Sequence, residues 1–173
     1  LCMVVSLSAI SQTTINPDTV CANALAEQYF VTNTPTSTYN WTATGGGSII
    51  QTGQGTNTIT VDWGGVSALF SNAISVTETS ASGCPGAPIL LDVFVLSLSG
   101  SAIGPYCPGD PLATLTGAPI GGTWSGTGVI GNNFDPATAG VGNFVLTYSL
   151  SGCLTTINVT VNSGPVTGPI QHF

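Results

Sequence analysis

The sequence contains no lysine and no arginine among its 173 residues, and histidine and methionine occur once each, at His172 and Met3. The missing cations exclude whole classes of function. Nucleic-acid binding depends on cationic contacts to phosphate, which this chain cannot offer. Arginine clamps and lysine Schiff bases are excluded too, as is a Lys–Asn isopeptide cross-link. Catalysis lacks its parts: the one ordinary general base, His172, sits one residue from the end, and no nucleophile–base–orienter set can be assembled around it. The chain reads as a non-enzyme without a cofactor or resident metal.

Charge of either sign is scarce, at 4% of residues, and seven acids give a formal net charge of −7. Asp18, Glu27, Asp62, Glu78, Asp92, Asp110 and Asp135 stand singly, and none forms an oxygen-rich calcium loop. Calcium held at a repeat junction by Asp18 or Asp110 with backbone carbonyls stays open as an alternative. Long hydrophobic runs are also missing. The apolar segments, such as residues 89–91 and 93–96, are far shorter than the roughly 20 residues a membrane-spanning helix needs, so no membrane insertion is expected.

Threonine, serine, asparagine, glycine and β-branched residues fill the sequence instead, the vocabulary of strands that face water with hydroxyls rather than charges. Few charges also leave sheet edges poorly protected against pairing with another molecule. Five cysteines, none in a C-x-x-C pair and none beside a histidine, read as disulfides of an oxidising compartment.

A repeated grammar organises the chain: an apolar strand, a linker of small residues, then an isoleucine, a proline and a cysteine. It runs from residues 1–5 to Ile15, Pro17 and Cys21, and again from residues 91–95 to Ile103, Pro105 and Cys107; residues 157–161 begin it a third time. Gly83-Cys84 and Gly152-Cys153 stand ahead of the second and third of these strands. The expected organisation is a last strand and linker at 1–12, one repeat at 13–95, a second at 96–161, and the start of a further repeat or a linker at 162–173. A truncated signal peptide at the N-terminus is the rival reading of the first segment.

Strand signals in the first repeat fall at 29–32, 39–43, 48–51, 58–63, 73–79 and 89–95, with Gly45-Gly46-Gly47 and Gly53-Gln54-Gly55 as turn material. About seven short strands in such a length is the count of an immunoglobulin-like sandwich. Alternation along 58–63 puts Ile59, Val61 and Trp63 on one face, toward the core. In the second repeat the expected strands are 113–115, 122–124, 144–148 and 155–161, with a turn at Asp135-Pro136. No segment has sustained helical periodicity. The fold class expected is all-β, two tandem immunoglobulin-like sandwiches.

The repeat pattern pairs Cys21 with Cys84 and Cys107 with Cys153, each bond closing a loop worth roughly 4 kcal/mol in the chain-entropy model. Buried free thiols are the alternative. Cys2 is left to a partner in an upstream unit or another molecule. Trp41, Trp63 and Trp124 lie among strand-forming residues, which favours core packing over a ligand platform. Asn40 and Asn158 head N-glycosylation sequons, although each falls within an expected strand. Thr19, in Asp18-Thr19-Val20, is a candidate for O-glycosylation; an unmodified turn is the alternative.

These motifs carry a family likeness. Tyr39-Asn40-Trp41, Gly45-Gly46-Gly47-Ser48-Ile49, Gly53-Gln54-Gly55-Thr56, Val61-Asp62-Trp63-Gly64 and Gly83-Cys84-Pro85-Gly86 resemble the PKD-like repeats of large Bacteroidetes surface proteins. Gly121-Gly122-Thr123-Trp124-Ser125-Gly126, Phe134-Asp135-Pro136-Ala137 and Gly152-Cys153 are similar to the immunoglobulin-like repeats that alternate with them. The resemblance implies a stalk or filament segment of an adhesin exported by type IX secretion and used in adhesion or gliding motility. Its expected partners are neighbouring repeats or identical subunits, and surface glycans. Two alternatives remain: a carbohydrate-binding module using Trp41 or Trp124, and a filament subunit that exchanges residues 1–7 or its C-terminal strand with a neighbour.

Overall fold

The structure, a computed structural model, describes residues 16–165 and 168–172. The strand expected at residues 1–7, and Cys2 within it, lie outside the described residues. Two compact units divide the chain, Leu1–Ser97 and Leu98–Phe173. Among the described residues both are all-β apart from one short helix.

Among the described residues of the first unit, seven strands form two sheets. The strands are β1 (Asp18–Cys21), β2 (Glu27–Phe30), β3 (Thr38–Ala43), β4 (Ile49–Thr52), β5 (Thr58–Asp62), β6 (Ala68–Thr79) and β7 (Ile89–Leu96). One sheet has the order β1-β7-β6-β3 and the other β2-β5-β4. All pairings are antiparallel except one: β1 runs parallel to β7, with Asp18 opposite Val93 and Cys21 opposite Leu96. Alternating side chains from both sheets meet in one core of Val20, Tyr29, Tyr39, Trp41, Ile59, Val61, Trp63, Ala73, Ile74, Val76, Val93 and Val95. The face expected from alternation is confirmed: Ile59 and Val61 are fully buried and Trp63 is 3% exposed.

Two features go beyond the strands read from sequence. Residues 18–21 form a parallel edge strand and not a turn, and β6 begins five residues before the expected 73. Ser71 and Asn72 interrupt its alternation because they occupy a bulge. Between Phe70↔Val93 and Ile74↔Leu91, β6 advances four residues while β7 advances two. Asn72 takes a left-handed φ of 53°, and its N–H donates to the Asp92 carboxylate at 2.7 Å.

The second unit packs around Leu115, Trp124, Phe134, Leu146, Tyr148, Ile157, Val159 and Val161. Its long hairpin is β14 (Gly142–Leu150) and β15 (Cys153–Val161), flanked by β11 (Thr123–Ser125). Shorter strands complete it: β8 (Ser99–Gly100) pairs with β10 (Gly117–Ala118), and β9 (Ala113–Thr114), β12 (Val129–Ile130) and β13 (Asn133–Phe134) form a third sheet. The expected turn at Asp135-Pro136 is the start of helix α1 (Pro136–Ala139). Asp135 caps it, accepting from the Ala137 N–H at 3.0 Å and the Thr138 hydroxyl at 2.6 Å. Proline suits the first helical position, where its missing N–H costs nothing. The Thr138 hydroxyl holds the Asp135 carboxyl below the usual range.

Candidate functional surface

The cysteines depart from the expected pairing. Cys21, Cys84 and Cys153 are disulfide-bonded, whereas Cys107 is free and exposed. Strand register shows why Cys107 does not meet Cys153. Tyr106 pairs in parallel with Val161, the last residue of β15, while Cys153 is its first. A nine-residue strand is on the order of 30 Å long, and a disulfide needs Cα atoms within about 7 Å. The same register corrects the expected Cys21–Cys84 bond. Cys21 sits opposite the last residue of β7, and Cys84 lies in the turn that precedes this eight-residue strand, roughly 25 Å or more away. Both cysteines are bonded, and not to each other.

Neutral polar pairs matched across strands stand on the outward faces of the sheets, among exposed apolar residues such as Leu69, Leu90, Val145 and Leu154. On the first unit, Thr38 stands opposite Thr79, Asn40 opposite Thr77, and Thr42 opposite Ser75. On its other sheet the Thr52 and Thr60 hydroxyls are 2.8 Å apart. On the second unit, Thr147 faces Thr156, the Thr160 hydroxyl donates to the Asn143 side chain at 2.7 Å, and the Thr123 and Ser149 hydroxyls lie 2.9 Å apart. Such cross-strand pairs contribute about 0.2–1 kcal/mol each. The candidate glycosylation positions belong to these surfaces: Thr19, Asn40 and Asn158 are all exposed on strands.

The acids serve local structure. Asp18 accepts from the Thr19 N–H at 2.9 Å. Asp62 accepts from the Ala26 N–H and the Gln51 side chain, both at 2.8 Å. Asp110 closes a turn, accepting from the Cys107 N–H at 2.8 Å while its own N–H donates to the Cys107 carbonyl at 3.0 Å. Among the described residues no three His, Cys, Asp or Glu side chains are grouped to hold a metal, and no helix is long and apolar enough to cross a membrane.

The three tryptophans are core residues; even Trp124 is only 8% exposed. Their polar edges are satisfied internally where hydrogen bonds are found: Trp41 Nε1 donates to the Thr56 carbonyl at 2.8 Å and Trp63 Nε1 to the Tyr29 hydroxyl at 3.2 Å. Burial raises the pKa of that Tyr29 hydroxyl far above its ordinary value, with the charge of Asp18 adding to the shift. A pocket of about 180 Å³ in the second unit is lined by Leu115, Gly117, Ile120, Gly122, Trp124 and Tyr148, among others. The Tyr148 hydroxyl is already committed there, donating to the Pro119 carbonyl at 2.6 Å and accepting from the Gly122 N–H at 2.8 Å. Thr116 and Asn132 also line this pocket.

Gln54 is the functional side chain that the sequence motif contained without revealing its role. Its amide takes the place of a missing strand beside β3: the Trp41 N–H donates to Gln54 Oε1 at 3.0 Å, and Gln54 Nε2 donates to the Trp41 carbonyl at 2.6 Å. Gly55 adds a second pair of backbone bonds, to Tyr39, at 3.3 and 2.9 Å. The Gly53-Gln54-Gly55 turn therefore closes part of the free edge of β3. Gly53 has a φ of 95°, and a Cβ there would collide with the Thr58 carbonyl, so the turn needs glycine at that position.

Residues 6–91 match the family model of the PKD-like domain. No curated protein matches the chain. Among solved structures, the chain is similar to the insect immune protein hemolin (11% identity, TM-score 0.42), with 88% of this chain and 46% of hemolin covered. It is also similar to extracellular domains 3–5 of Drosophila OTK (12% identity, TM-score 0.34, covering 84% and 58%). A third similarity is to the A168–A169 pair of titin (13% identity, TM-score 0.29, covering 85% and 94%). The chain thus spans about half the length of the hemolin chain it matches.

Proposed function

We propose that this all-β chain, PKD-like in its first unit, is a structural segment of a secreted or cell-surface adhesin, in which repeats at about 13–95 and 96–161 hold a binding element away from the cell. The observation that carries the reading is where its strong side chains are placed. Every tryptophan lies in a core, and the sheet faces turn matched neutral hydroxyl and amide pairs to solvent between exposed apolar residues. These residues hold sheets together; they do not converge on a ligand. Bonded cysteines fit an oxidising, extracellular setting, and the PKD-like match agrees with an extracellular repeat. The sequence likeness to Bacteroidetes surface repeats supports export by type IX secretion and service in adhesion or gliding motility.

A glycan array separates this reading from a carbohydrate-binding module. The expected result is no saturable binding by the chain. Saturable binding that is lost in Trp124→Ala while the far-ultraviolet spectrum and melting transition are retained would replace the stalk with the module.

A further inference from the structure

We infer that the outer edge of β15 is a pairing site for a second copy of this chain, which sets its own β15 antiparallel against it and joins two sheets into one. The edge is singled out by its lack of protection. Sheet edges are kept from pairing by shortness, charge, bulges or a covering loop, and every other edge among the described residues has one of these. β1 and β2 are four residues long and carry Asp18 and Glu27. β4 is as short and is bulged between Ile50 and Thr52, and β3 is covered by Gln54 and Gly55. The other edge strands of the second unit have three residues at most. β15 has nine, with no charge, no proline and an unbroken register along β14.

Backbone direction shows what this edge can bind. At its exit end, the Tyr106 N–H donates to the Thr160 carbonyl and the Tyr106 carbonyl accepts from the Asn162 N–H, at 2.9 and 2.8 Å. The even-numbered residues of β15 therefore turn their N–H and C=O to the free side, and the odd-numbered ones turn theirs to β14. The bridge to Tyr106 covers Val161. Among the described residues nothing bonds the free-side groups of Leu154, Thr156 and Asn158. In the first unit the corresponding edge, that of β7, is filled by β1 along Asp18–Cys21. Free donors and acceptors alternating along a straight strand are matched by one kind of partner, an extended backbone.

Charge and symmetry make a second copy the occupant. The first unit holds Asp18, Glu27, Asp62, Glu78 and Asp92, whereas the second holds only Asp110 and Asp135, neither of them on β14 or β15. Copies of a chain with a net charge of −7 repel one another, but two β15 strands bring no charges together. The strand is also complementary to itself. An antiparallel pair centred on Thr156 sets Thr156 opposite Thr156, and Leu154 opposite Asn158 of the other copy. Each of the three residues then exchanges both of its backbone bonds. The pairing also shields part of the Leu154 side chain, which is 69% exposed. The sheet β11-β14-β15 is thereby doubled across a two-fold axis.

Lateral pairing goes beyond the stalk reading and does not depend on it, since a chain can bear tension singly or in pairs. Sedimentation equilibrium of the whole chain over a concentration series tests it, with the exposed thiol of Cys107 alkylated first so that no disulfide joins copies. The mass should rise reversibly from 17.3 kDa toward twice that value. Thr156→Lys and Thr156→Glu alter an exposed side chain and set like charges directly opposite each other. Each variant alone should stay monomeric and keep its melting transition. Mixed in equal amounts they should pair again, because opposite charges then meet across the axis. Variants that associate as the parent does, or a mixture that stays monomeric, would overturn the inference. Should the variants not fold, amide exchange in the parent decides: the Leu154, Thr156 and Asn158 amides should exchange more slowly as concentration rises. A parent that keeps one chain mass, or amides protected equally at every concentration, would give the edge to another part of the same chain and refute the pairing. A monomeric parent would leave the stalk reading standing.

Discussion

At the scale of single residues, the cores were the most legible part of the chain. Period-2 alternation around Trp63, and the β-branched surroundings of Trp41 and Trp124, indicated their burial because a large aromatic ring has few other stable places in a strand. Trp41 is 3% exposed, so Trp41→Ala should cost about 3–5 kcal/mol in urea unfolding; a loss under about 1 kcal/mol would show that the ring is not a core anchor. Tyr29 predicts a pH effect. Its native pKa is raised, chiefly by burial, so it keeps its proton where the unfolded chain would lose it, and its contribution is complete below the ordinary tyrosine value. Stability should therefore fall as pH rises above about 10, toward the raised native value. Tyr29→Phe should flatten this decline between pH 9 and 11 in thermal melts, and an unchanged slope would assign it elsewhere. Cysteine pairing was not legible. Spacing shows order along the chain, and the pairing depends on strand direction, set here by a parallel edge strand that no local pattern marks.

At the scale of elements, the long strands were readable and the irregular ones were not. The expected strand at 39–43 matches β3 to within a residue, because its alternation is uninterrupted. The first half of β6 carries no clear sequence signal because the bulge at Ser71 and Asn72 breaks that pattern. Removing the acceptor that fixes the bulge, Asp92→Ala, should cost about 1–3 kcal/mol, since the Asn72 N–H bonds to a charged group. Asn72→Gly should be tolerated, because glycine takes the positive φ more readily. Equal losses in the two variants would mean that φ, not the hydrogen bond, governs the site. The low charge of the sequence suggested unprotected sheet edges. At β3 the protection is a turn and an amide in place of charge. Gln54→Ala leaves the Trp41 N–H and carbonyl uncovered, so it should shift sedimentation toward larger species as concentration rises. A variant that sediments as the parent does would remove that role from Gln54.

At the scale of the whole molecule, composition was informative by exclusion and the structure by what it spends its residues on. The absence of lysine and arginine leaves this sequence without lysine- or arginine-based contacts to polyanions, and it leaves trypsin without a cleavage site. The two all-β units add cores filled by aromatic residues and sheet faces knit by neutral pairs. Three of the described cysteines are disulfide-bonded, and each such bond removed typically costs about 2–5 kcal/mol. Reduction should therefore lower the melting temperature without abolishing the β spectrum, an outcome that differential scanning calorimetry with and without dithiothreitol would read. A reduced chain that melts at the same temperature would mean that the bonds contribute little to holding the fold.

The stalk reading requires a chain that bears tension while folded, and pulling a single molecule by its ends measures that directly. The predicted trace keeps a short folded extension as force rises and then breaks in abrupt, cooperative ruptures, with a longer release in dithiothreitol because the disulfides no longer hold loops closed. A smooth extension without ruptures, the same with and without dithiothreitol, would contradict it.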